Sequence, residues 1–334
     1  MSAAPTVTVS CAFAPSHETP EHIALAETLG YRRAWCYDSP AMYADPWMTL
    51  ARAAERTATI GLGPATLVPS LRHPMVTVAA LATLAGAAPG RVAAAFGTGS
   101  TGRMLLGQRP MRWAEVAAYV CAVRALLRGE EAEWDGARLR MLQPDGFAAG
   151  RPVELEVFIA ADGPRGNAVA TELGDGVITA RAKSLGAVGH RILLTFGSVL
   201  EAGEDETDER VVAAAGAALA AAVHTIYEAR GAAGVDRLPG GAEWCAAIET
   251  VDPELRHLAI HAGHLVRPNA ADEVLLQHAG HLLPAWTTTG PPAEVRARLD
   301  ALPAAGIAEV AYQPMGPDIP RELIAFARAA GIAR

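Results

Sequence analysis

The chain has 334 residues, of which 51% are apolar and 5% aromatic, and its formal net charge is −8. This length suits either one large α/β barrel or two ordinary domains, and the apolar content argues against a disordered chain. Lys and Arg are not clustered, so we expect small-molecule partners and exclude a nucleic-acid or anionic-membrane surface.

Short apolar runs alternate with helical patterns over the first hundred residues. The predicted strands are residues 6–11, 33–37, 59–63 and 91–96, and the predicted helices are 20–30, 46–57 and 74–87. Strands and helices that alternate with short connections predict a parallel sheet covered by helices.

The same alternation resumes later in the chain. Strands are predicted at 155–160, 176–179, 191–198 and 308–313, and helices at 112–127, 164–173 and 320–330. The total of eight strands favours a closed (β/α)8 barrel, a TIM barrel, over a doubly wound sheet, which usually has fewer strands. We therefore predict a single domain over residues 1–334.

Two stretches interrupt this pattern. Residues 128–151 contain Trp134, Asp135 and Gly136 and predict a hairpin. Residues 201–289 predict several helices between strands seven and eight, which we interpret as an insertion on the barrel rim and a possible substrate lid.

The remaining composition indicates a reducing, aqueous compartment. Four cysteines lie far apart and without CxxC spacing, so neither a zinc knuckle nor a disulfide framework is expected. We expect no signal peptide and no membrane span. The alanine-rich stretch 211–223 predicts an amphipathic or buried helix, and a cytoplasmic location fits best.

The segment GTGSTG at residues 97–102 matches the GxGxxG fingerprint of dinucleotide-binding proteins. That fingerprint belongs in the first βαβ unit, whereas here it follows the fourth strand, and Pro110 delays the next helix. We therefore favour a loop whose glycines let the backbone approach a ligand at the carboxyl end of a barrel strand. A plain tight turn is the alternative.

Several ordered segments resemble the bacterial luciferase-like superfamily, in particular the branch of enzymes that use coenzyme F420. They are AETLGY at 26–31 leading to Asp38, IGLG at 60–63 through RHP at 72–74, GR at 90–91 through FGTG at 96–99, ELGDGV at 172–177, and YQP at 312–314 with PREL at 320–323. The resemblance implies a barrel that binds a flavin-like ring at its mouth. It also implies a non-proline cis peptide after the third strand, at Ala65-Thr66 and followed by Leu67.

The resemblance also implies individual roles for residues of this chain. Asp38 would lie near the ring edge, and Gly97, Thr98 and Gly99 would line the other side of the ring. The cofactor's tail phosphate would lie against a set of residues at two strand ends: Ala160, Ala161, Asp162, Gly163, Pro164, Gly176 and Val177. Independently of the resemblance, Gly163-Pro164 predicts a helix start, whose free amides attract a phosphate. The charge of Asp162 would oppose a phosphate unless this residue caps the helix.

This chain departs from the sugar-phosphate dehydrogenases of that branch at two positions. Those enzymes carry a histidine and a glutamate where this chain has Ser39 and Ser100. Without a strong general base, reduction of an activated C=C or C=N bond is favoured over sugar oxidation. Asp38 and Tyr37 are the candidate catalytic residues, and Arg72 is expected to pair with a carboxylate or with carbonyls.

The histidines of the predicted insertion raise the question of a metal. His257, His261 and His264 share one helix face by their spacing, and His278 and His281 follow. Acidic ligands at matching spacing are not evident, so we expect no metal and interpret these histidines as packing, surface or lid residues. His224 and Tyr227 share a helix face in the same way and could also line the lid.

Three functions remain open at this point. The first is a reductase that uses reduced F420, the second is an FMN-dependent monooxygenase supplied by a flavin reductase, and the third is a ligand-binding barrel without catalysis. A homodimer is expected in each case.

Overall fold

The computed structural model describes residues 7–182 and 189–333, and within them eight parallel strands form a barrel. The strands are β1 Thr8–Phe13, β2 Arg33–Cys36, β3 Gly61–Pro64, β4 Ala93–Phe96, β5 Glu156–Ala160, β6 Gly176–Thr179, β7 His190–Phe196 and β8 Glu309–Gln313. Their order in the sheet is β3-β2-β1-β8-β7-β6-β5-β4. Parallel bridges pair Leu62 with Val92 and Leu67 with Phe96, so β3 meets β4 and the ring of strands closes.

The predicted eight-stranded barrel is therefore confirmed, with strand bounds that differ from the predicted ones by at most two residues. Residue 6 of the predicted first strand lies outside the described residues. The third strand begins later than predicted because the amides of Thr59 and Ile60 donate to the side chain of Glu27 instead of to a neighbouring strand. The seventh strand ends at Phe196, since Gly197 turns away with a φ of +135°.

Helices follow the strands on the outside of the barrel. They are α1 Thr19–Leu29, α2 Pro46–Ala54, α3 Pro74–Ala87, α4 Ser100–Met104, α5 Trp113–Arg128, α6 Pro164–Leu173, α7 Glu209–Arg230, α8 Ala232–Val235, α9 Gly241–Glu249, α10 Arg256–Ile260, α11 Ala270–Ala279, α12 Leu283–Trp286, α13 Pro292–Ala301 and α14 Ile319–Ala330. The predicted hairpin is present as Ala132–Trp134 paired with Ala137–Leu139. Its turn residues Asp135 and Gly136 both have positive φ, as a two-residue hairpin turn requires.

Alternation along the strands separates two layers of the barrel core. In β4, Ala93 and Ala95 belong to the cluster inside the barrel, whereas Ala94 and Phe96 belong to the cluster under the helices. Trp35 is buried inside the barrel, and Gly63 makes room for it, because a Cβ there would lie 2.5 Å from the indole ring.

The helices α7 to α12, between β7 and β8, have an apolar cluster of their own around the buried Trp244. α7 is long and apolar enough to cross a membrane by length and composition alone, and 56% of its most apolar window is buried. The core helix of a soluble protein passes the same test, so this helix carries no conclusion about membranes. Residues 211–223 lie within it and have a largely buried face, as the sequence predicts.

Candidate active site at the carboxyl ends of the strands

A cavity of about 250 Å³ lies at the carboxyl ends of the strands. Most of its wall comes from the segments that follow β2, β3 and β4, with contributions from β5, β7 and the segment after α10. The lining residues are Tyr37, Asp38, Ser39, Met42, Tyr43, Thr66, Val68, Gly97, Thr98, Gly99, Ser100, Thr101, Gly102, Ala160, Leu194, His264 and Leu265. Barrel enzymes place their sites at this face, and the predicted residues Tyr37, Asp38, Thr66, Gly97, Thr98, Gly99 and Ala160 come together there.

The glycine loop forms one wall of this cavity by close backbone approach. A Cβ at Gly97 would lie 2.6 Å from Cγ2 of Thr66, and Gly99 has a φ of +74°, which an L side chain rarely adopts. The peptide bond Ala65-Thr66 is cis, as predicted. The loop leads into only the short helix α4, so it lacks the long helix that follows a dinucleotide-binding fingerprint.

The carboxylate of Asp38 lies buried in the same wall. One oxygen pairs with Nη1 of Arg72, whose Nη2 lies 3.1 Å from Asp45 Oδ2. The other oxygen, Oδ1, is buried and has no hydrogen-bond partner among the described residues. Burial raises the pKa of Asp38, and the neighbouring guanidinium of Arg72 offsets only part of that rise. Arg72 thus has the pairing role expected for it.

Two tyrosines connect the barrel to the segment after α10. Tyr37 donates a hydrogen bond to Gln313 Oε1 at 2.7 Å, and Gln313 Nε2 donates to the carbonyl of Leu265 at 2.8 Å. Tyr43 donates to the carbonyl of His264 at 2.7 Å. Burial raises the pKa of Tyr37 well above its usual range, so its hydroxyl stays protonated at neutral pH.

A second cleft of about 700 Å³ adjoins the cavity, and Thr98 lines both. Its wall includes the start of α6, where Gly163 makes no side-chain cap and Pro164 occupies the first turn. Arg112 and Arg165 also line this cleft. Uncapped amides at a helix start together with two guanidinium groups suit an anion.

Asp162 does not cap this helix, contrary to the role offered for it from sequence. Its Oδ1 accepts hydrogen bonds from the hydroxyl of Thr179 at 2.7 Å and the amide of Ala180 at 2.8 Å. The carboxylate therefore connects the ends of β5 and β6, and the start of α6 remains open to a ligand. Ala161 is buried and contacts Gly166 of α6 from below.

Four further predicted cofactor residues lie away from the cavity. Gly176 and Val177 begin β6, so they occupy the amino end of the strand, opposite the site; Gly176 abuts the carbonyl of His190. Ala65 faces the barrel interior, and Leu67 packs under the helices while its amide donates to Ala95. These residues shape the barrel and do not line either cavity.

The structure brings together three histidines that the sequence pattern did not group. His224 of α7 lies beside His261 and His264, and one ring nitrogen of each lies within 4.8 Å of the others. Burial first, and then the neighbouring rings of His261 and His224, lower the pKa of His264 to about 3. The spacing of His261 and His264 was a partial signal, but His224 comes from another helix. Tyr227 packs on Trp244 instead of the cavity.

The curated relatives of this chain include F420-dependent dehydrogenases. The F420-dependent glucose-6-phosphate dehydrogenase of Beutenbergia cavernae is 33% identical over 149 residues, which is 41% of this chain and 42% of that protein. The F420-dependent hydroxymycolic acid dehydrogenase of Mycobacterium tuberculosis is 29% identical over 200 residues, 56% of this chain and 54% of that protein. The chain thus spans about half the length of the curated relatives it matches.

The fold has solved counterparts. The coenzyme F420-dependent tetrahydromethanopterin reductase from Methanopyrus kandleri superposes with a TM-score of 0.65 over 98% of both chains, at 17% identity. The family model of the luciferase-like monooxygenases matches residues 3–309. The predicted family is therefore confirmed, and the chain belongs to the luciferase-like monooxygenases.

Proposed function

We propose that the chain is an oxidoreductase that transfers a hydride between coenzyme F420 and a small organic substrate. The observation that carries this proposal is the cavity between the Gly97–Gly99 backbone and Asp38, adjoined by a cleft with a helix start and two arginines. Its position at the carboxyl ends of barrel strands and the F420-dependent curated relatives support the same cofactor.

The residues present fit such a group in two respects. Gly97 lines the cavity and packs so closely on Thr66 that a Cβ there would collide with it, so backbone without a side chain forms this part of the wall, which suits a planar ring. The free start of α6, with Arg165 and Arg112, suits the phosphate of the cofactor's tail. When bound in its reduced form, F420 supplies a hydride.

The remaining side chains favour reduction over sugar oxidation. Ser39 and Ser100 line the cavity at positions where the resembling sugar-phosphate dehydrogenases have stronger acid-base groups. Reduction of an activated C=C or C=N bond adds a hydride at one atom and a proton at the other. Tyr37 has a hydroxyl in the cavity wall and is the candidate proton donor, while Asp38, held by Arg72, would orient groups at the ring edge.

The test is anaerobic turnover with reduced F420 and a panel of enones, imines and dehydroamino acids, followed by the absorbance of the cofactor. We expect oxidation of the cofactor only when protein and an acceptor are both present. Inertness across the panel would favour the ligand-binding barrel. Oxygen uptake with reduced FMN, supplied by a flavin reductase, and no reaction with F420 would favour the monooxygenase.

A further inference from the structure

The helices between β7 and β8 contain a compact group of three histidines, which we call the histidine cluster: His224, His261 and His264. His224 and His261 are 1% and 2% exposed, and His264 is partly buried at the edge of the cavity. Nδ1 of His261 lies 3.3 Å from Nδ1 of His264. Two nitrogens that bind one tetrahedral zinc ion at about 2.0–2.1 Å stand about 3.3 Å apart, so this pair already has the required separation.

Two carboxylates lie within hydrogen-bonding distance of the Nε2 atoms of His224 and His261. His224 Nε2 lies 2.8 Å from Asp272 Oδ1, and His261 Nε2 lies 2.5 Å from Glu228 Oε1. A carboxylate accepts a hydrogen bond from a protonated Nε2, and this tautomer leaves the lone pair of each ring on Nδ1. Histidines that bind a metal almost always donate their other ring N–H to such an acceptor.

Asp272 is itself held firmly. Its Oδ1 also accepts a hydrogen bond from Trp244 Nε1 at 2.9 Å, and its Oδ2 accepts one from the amide of Asn269 at 3.0 Å. Asp272 is 1% exposed. The carboxylate therefore fixes the orientation of the His224 ring as well as its tautomer.

The Nδ1 atoms of His261 and His264 face each other within hydrogen-bonding distance, whereas Nδ1 of His224, which is buried, has no partner within the described parts of the chain. The two facing Nδ1 atoms of His261 and His264 can share at most one proton. An unsatisfied buried acceptor is unfavourable. The unpartnered Nδ1 of His224 and the gathering of one nitrogen from each ring within 4.8 Å together point to a ligand that accepts electron pairs from the three rings.

We propose that the histidine cluster binds one divalent transition-metal ion, with Zn²⁺ as the leading candidate, through one nitrogen of each imidazole. Imidazole ligands suit zinc and its neighbours in the first transition row, whereas Mg²⁺ and Ca²⁺ prefer oxygen. Asp272 and Glu228 would not bind the ion; they orient His224 and His261 through hydrogen bonds with Nε2. Three protein ligands leave a fourth coordination position for water or another ligand.

The ion has a structural consequence for the cavity. The carbonyls of His264 and Leu265 accept hydrogen bonds from Tyr43 and Gln313 of the barrel. A metal bound to His264 and to His224 joins this same segment to α7. The segment around His264 and Leu265, which covers one side of the cavity, is then held both by the barrel and by α7. This inference does not depend on which cofactor the cavity binds.

The experiment uses the full chain without a histidine tag, stripped of metal by a chelator and dialysed. Calorimetric titration with Zn²⁺ is expected to give one equivalent bound, and Co²⁺ is expected to give the visible absorption bands of a tetrahedral nitrogen site. Zinc is expected to raise the Tm. Absence of zinc binding by the wild-type chain would overturn the proposal.

Variants assign the site. His264→Ala is expected to lower the zinc affinity by at least a hundredfold, whereas His281→Ala, an exposed histidine of the same helical region, leaves it unchanged. Glu228 is about a quarter exposed, so Glu228→Gln is a milder change that preserves folding and is expected to cost about tenfold in affinity. Equal affinities of wild type, His264→Ala and Glu228→Gln would show that the ion binds elsewhere and would overturn the proposal.

Discussion

Asp38 and Arg72 form a buried ion pair at the edge of the cavity, and only one carboxylate oxygen takes part in it. The free oxygen lies in the wall where the ring of a cofactor would be placed. We predict that Asp38→Asn, which keeps the shape and removes the charge, lowers kcat/KM by at least about tenfold while the chain remains folded.

The matched control for this change is Asp45→Asn. Asp45 is the second carboxylate on Arg72, but it does not line the cavity, and an asparagine can still cap α2. Steady-state kinetics and thermal unfolding of both variants separate the two roles. An equal loss of activity in the two variants would remove Asp38 from the reaction and leave only its pairing with Arg72.

Tyr37 lines the cavity, and its hydroxyl donates a hydrogen bond to Gln313 Oε1. If it passes the hydroxyl proton to the substrate, Tyr37→Phe lowers kcat by at least about tenfold with little change in KM. Tyr43→Phe is the comparison, since Tyr43 also lines the cavity but donates to a backbone carbonyl. A kcat of Tyr37→Phe equal to that of wild type would show that water or another hydroxyl supplies the proton.

The close approach of Gly97 to Thr66 leads to a prediction about the affinity for the cofactor. Gly97→Ala places a methyl group 2.6 Å from Thr66, and the neighbouring chain must move away. We expect a destabilisation of about 1–3 kcal/mol and a Kd for F420 raised by at least tenfold. Gly150→Ala, where no atom lies within 4 Å of the added Cβ, is expected to change neither quantity. Unchanged F420 affinity in a folded Gly97→Ala protein would place the ring elsewhere.

The cleft at the start of α6 is predicted to bind the cofactor's phosphate. Arg165→Ala is expected to raise the Kd for F420 about fivefold to tenfold and to reduce the dependence of that Kd on salt. Arg140→Ala, in the exposed hairpin region, serves as the control. Fluorescence titrations at two salt concentrations measure both effects, and identical salt dependence in the wild type and both variants would argue against an anion at this helix start.

The hydrogen bonds between Glu204 and Arg210 lead to a prediction about how stability depends on pH. Its hydrogen bonds with Arg210, at 2.6 Å from Nε, lower its pKa to about 2. An unfolded glutamate titrates at about 4.3. Because the folded pKa is the lower one, the interaction stabilises the chain fully above about pH 5 and is lost as the pH falls towards 2.

Glu204→Gln is therefore expected to lower the free energy of unfolding by about 1 kcal/mol at pH 7, given its partial exposure. The difference from wild type shrinks with falling pH, and denaturant unfolding between pH 7 and pH 3 measures it. Glu206→Gln, nearby in the chain, is the control. A constant difference over that range would mean that the carboxylate charge is not what stabilises this contact.

Much of the barrel could be predicted from sequence because strand and helix periods differ and because Gly and Pro mark the connections. The bounds of Pro74–Ala87 and Pro164–Leu173 agree with prediction, since a proline begins each helix. The predicted start of the third strand, at residue 59, was too early because another acceptor competes for the backbone amides there. There the side chain of Glu27, distant in sequence, takes the amides that a strand would use.

Part of the lining of the cavity could be predicted from the sequence for a related reason. Residues directly after a strand, such as Asp38 and Gly97, lie at the carboxyl end of the barrel whatever the details of packing. Gly176 and Val177, also predicted to flank the phosphate, begin their strand instead of ending it and so lie away from the cavity.

The histidine cluster could not be predicted from spacing alone. His224 meets His261 and His264 only through the packing of α7 against the later helices, and their outer partners Asp272 and Glu228 lie on two different helices. Tertiary packing brings these residues together, and no periodicity in the sequence relates them.

Equilibrium titration of the wild-type chain with F420 and, separately, with FMN tests the central claim most directly. We predict saturable binding of one F420 per chain with micromolar or tighter affinity, weakened at least tenfold in Gly97→Ala, and FMN binding at least a hundredfold weaker. Tight FMN binding without F420 binding, or F420 binding that Gly97→Ala leaves unchanged, would contradict the assignment of this cavity to a deazaflavin.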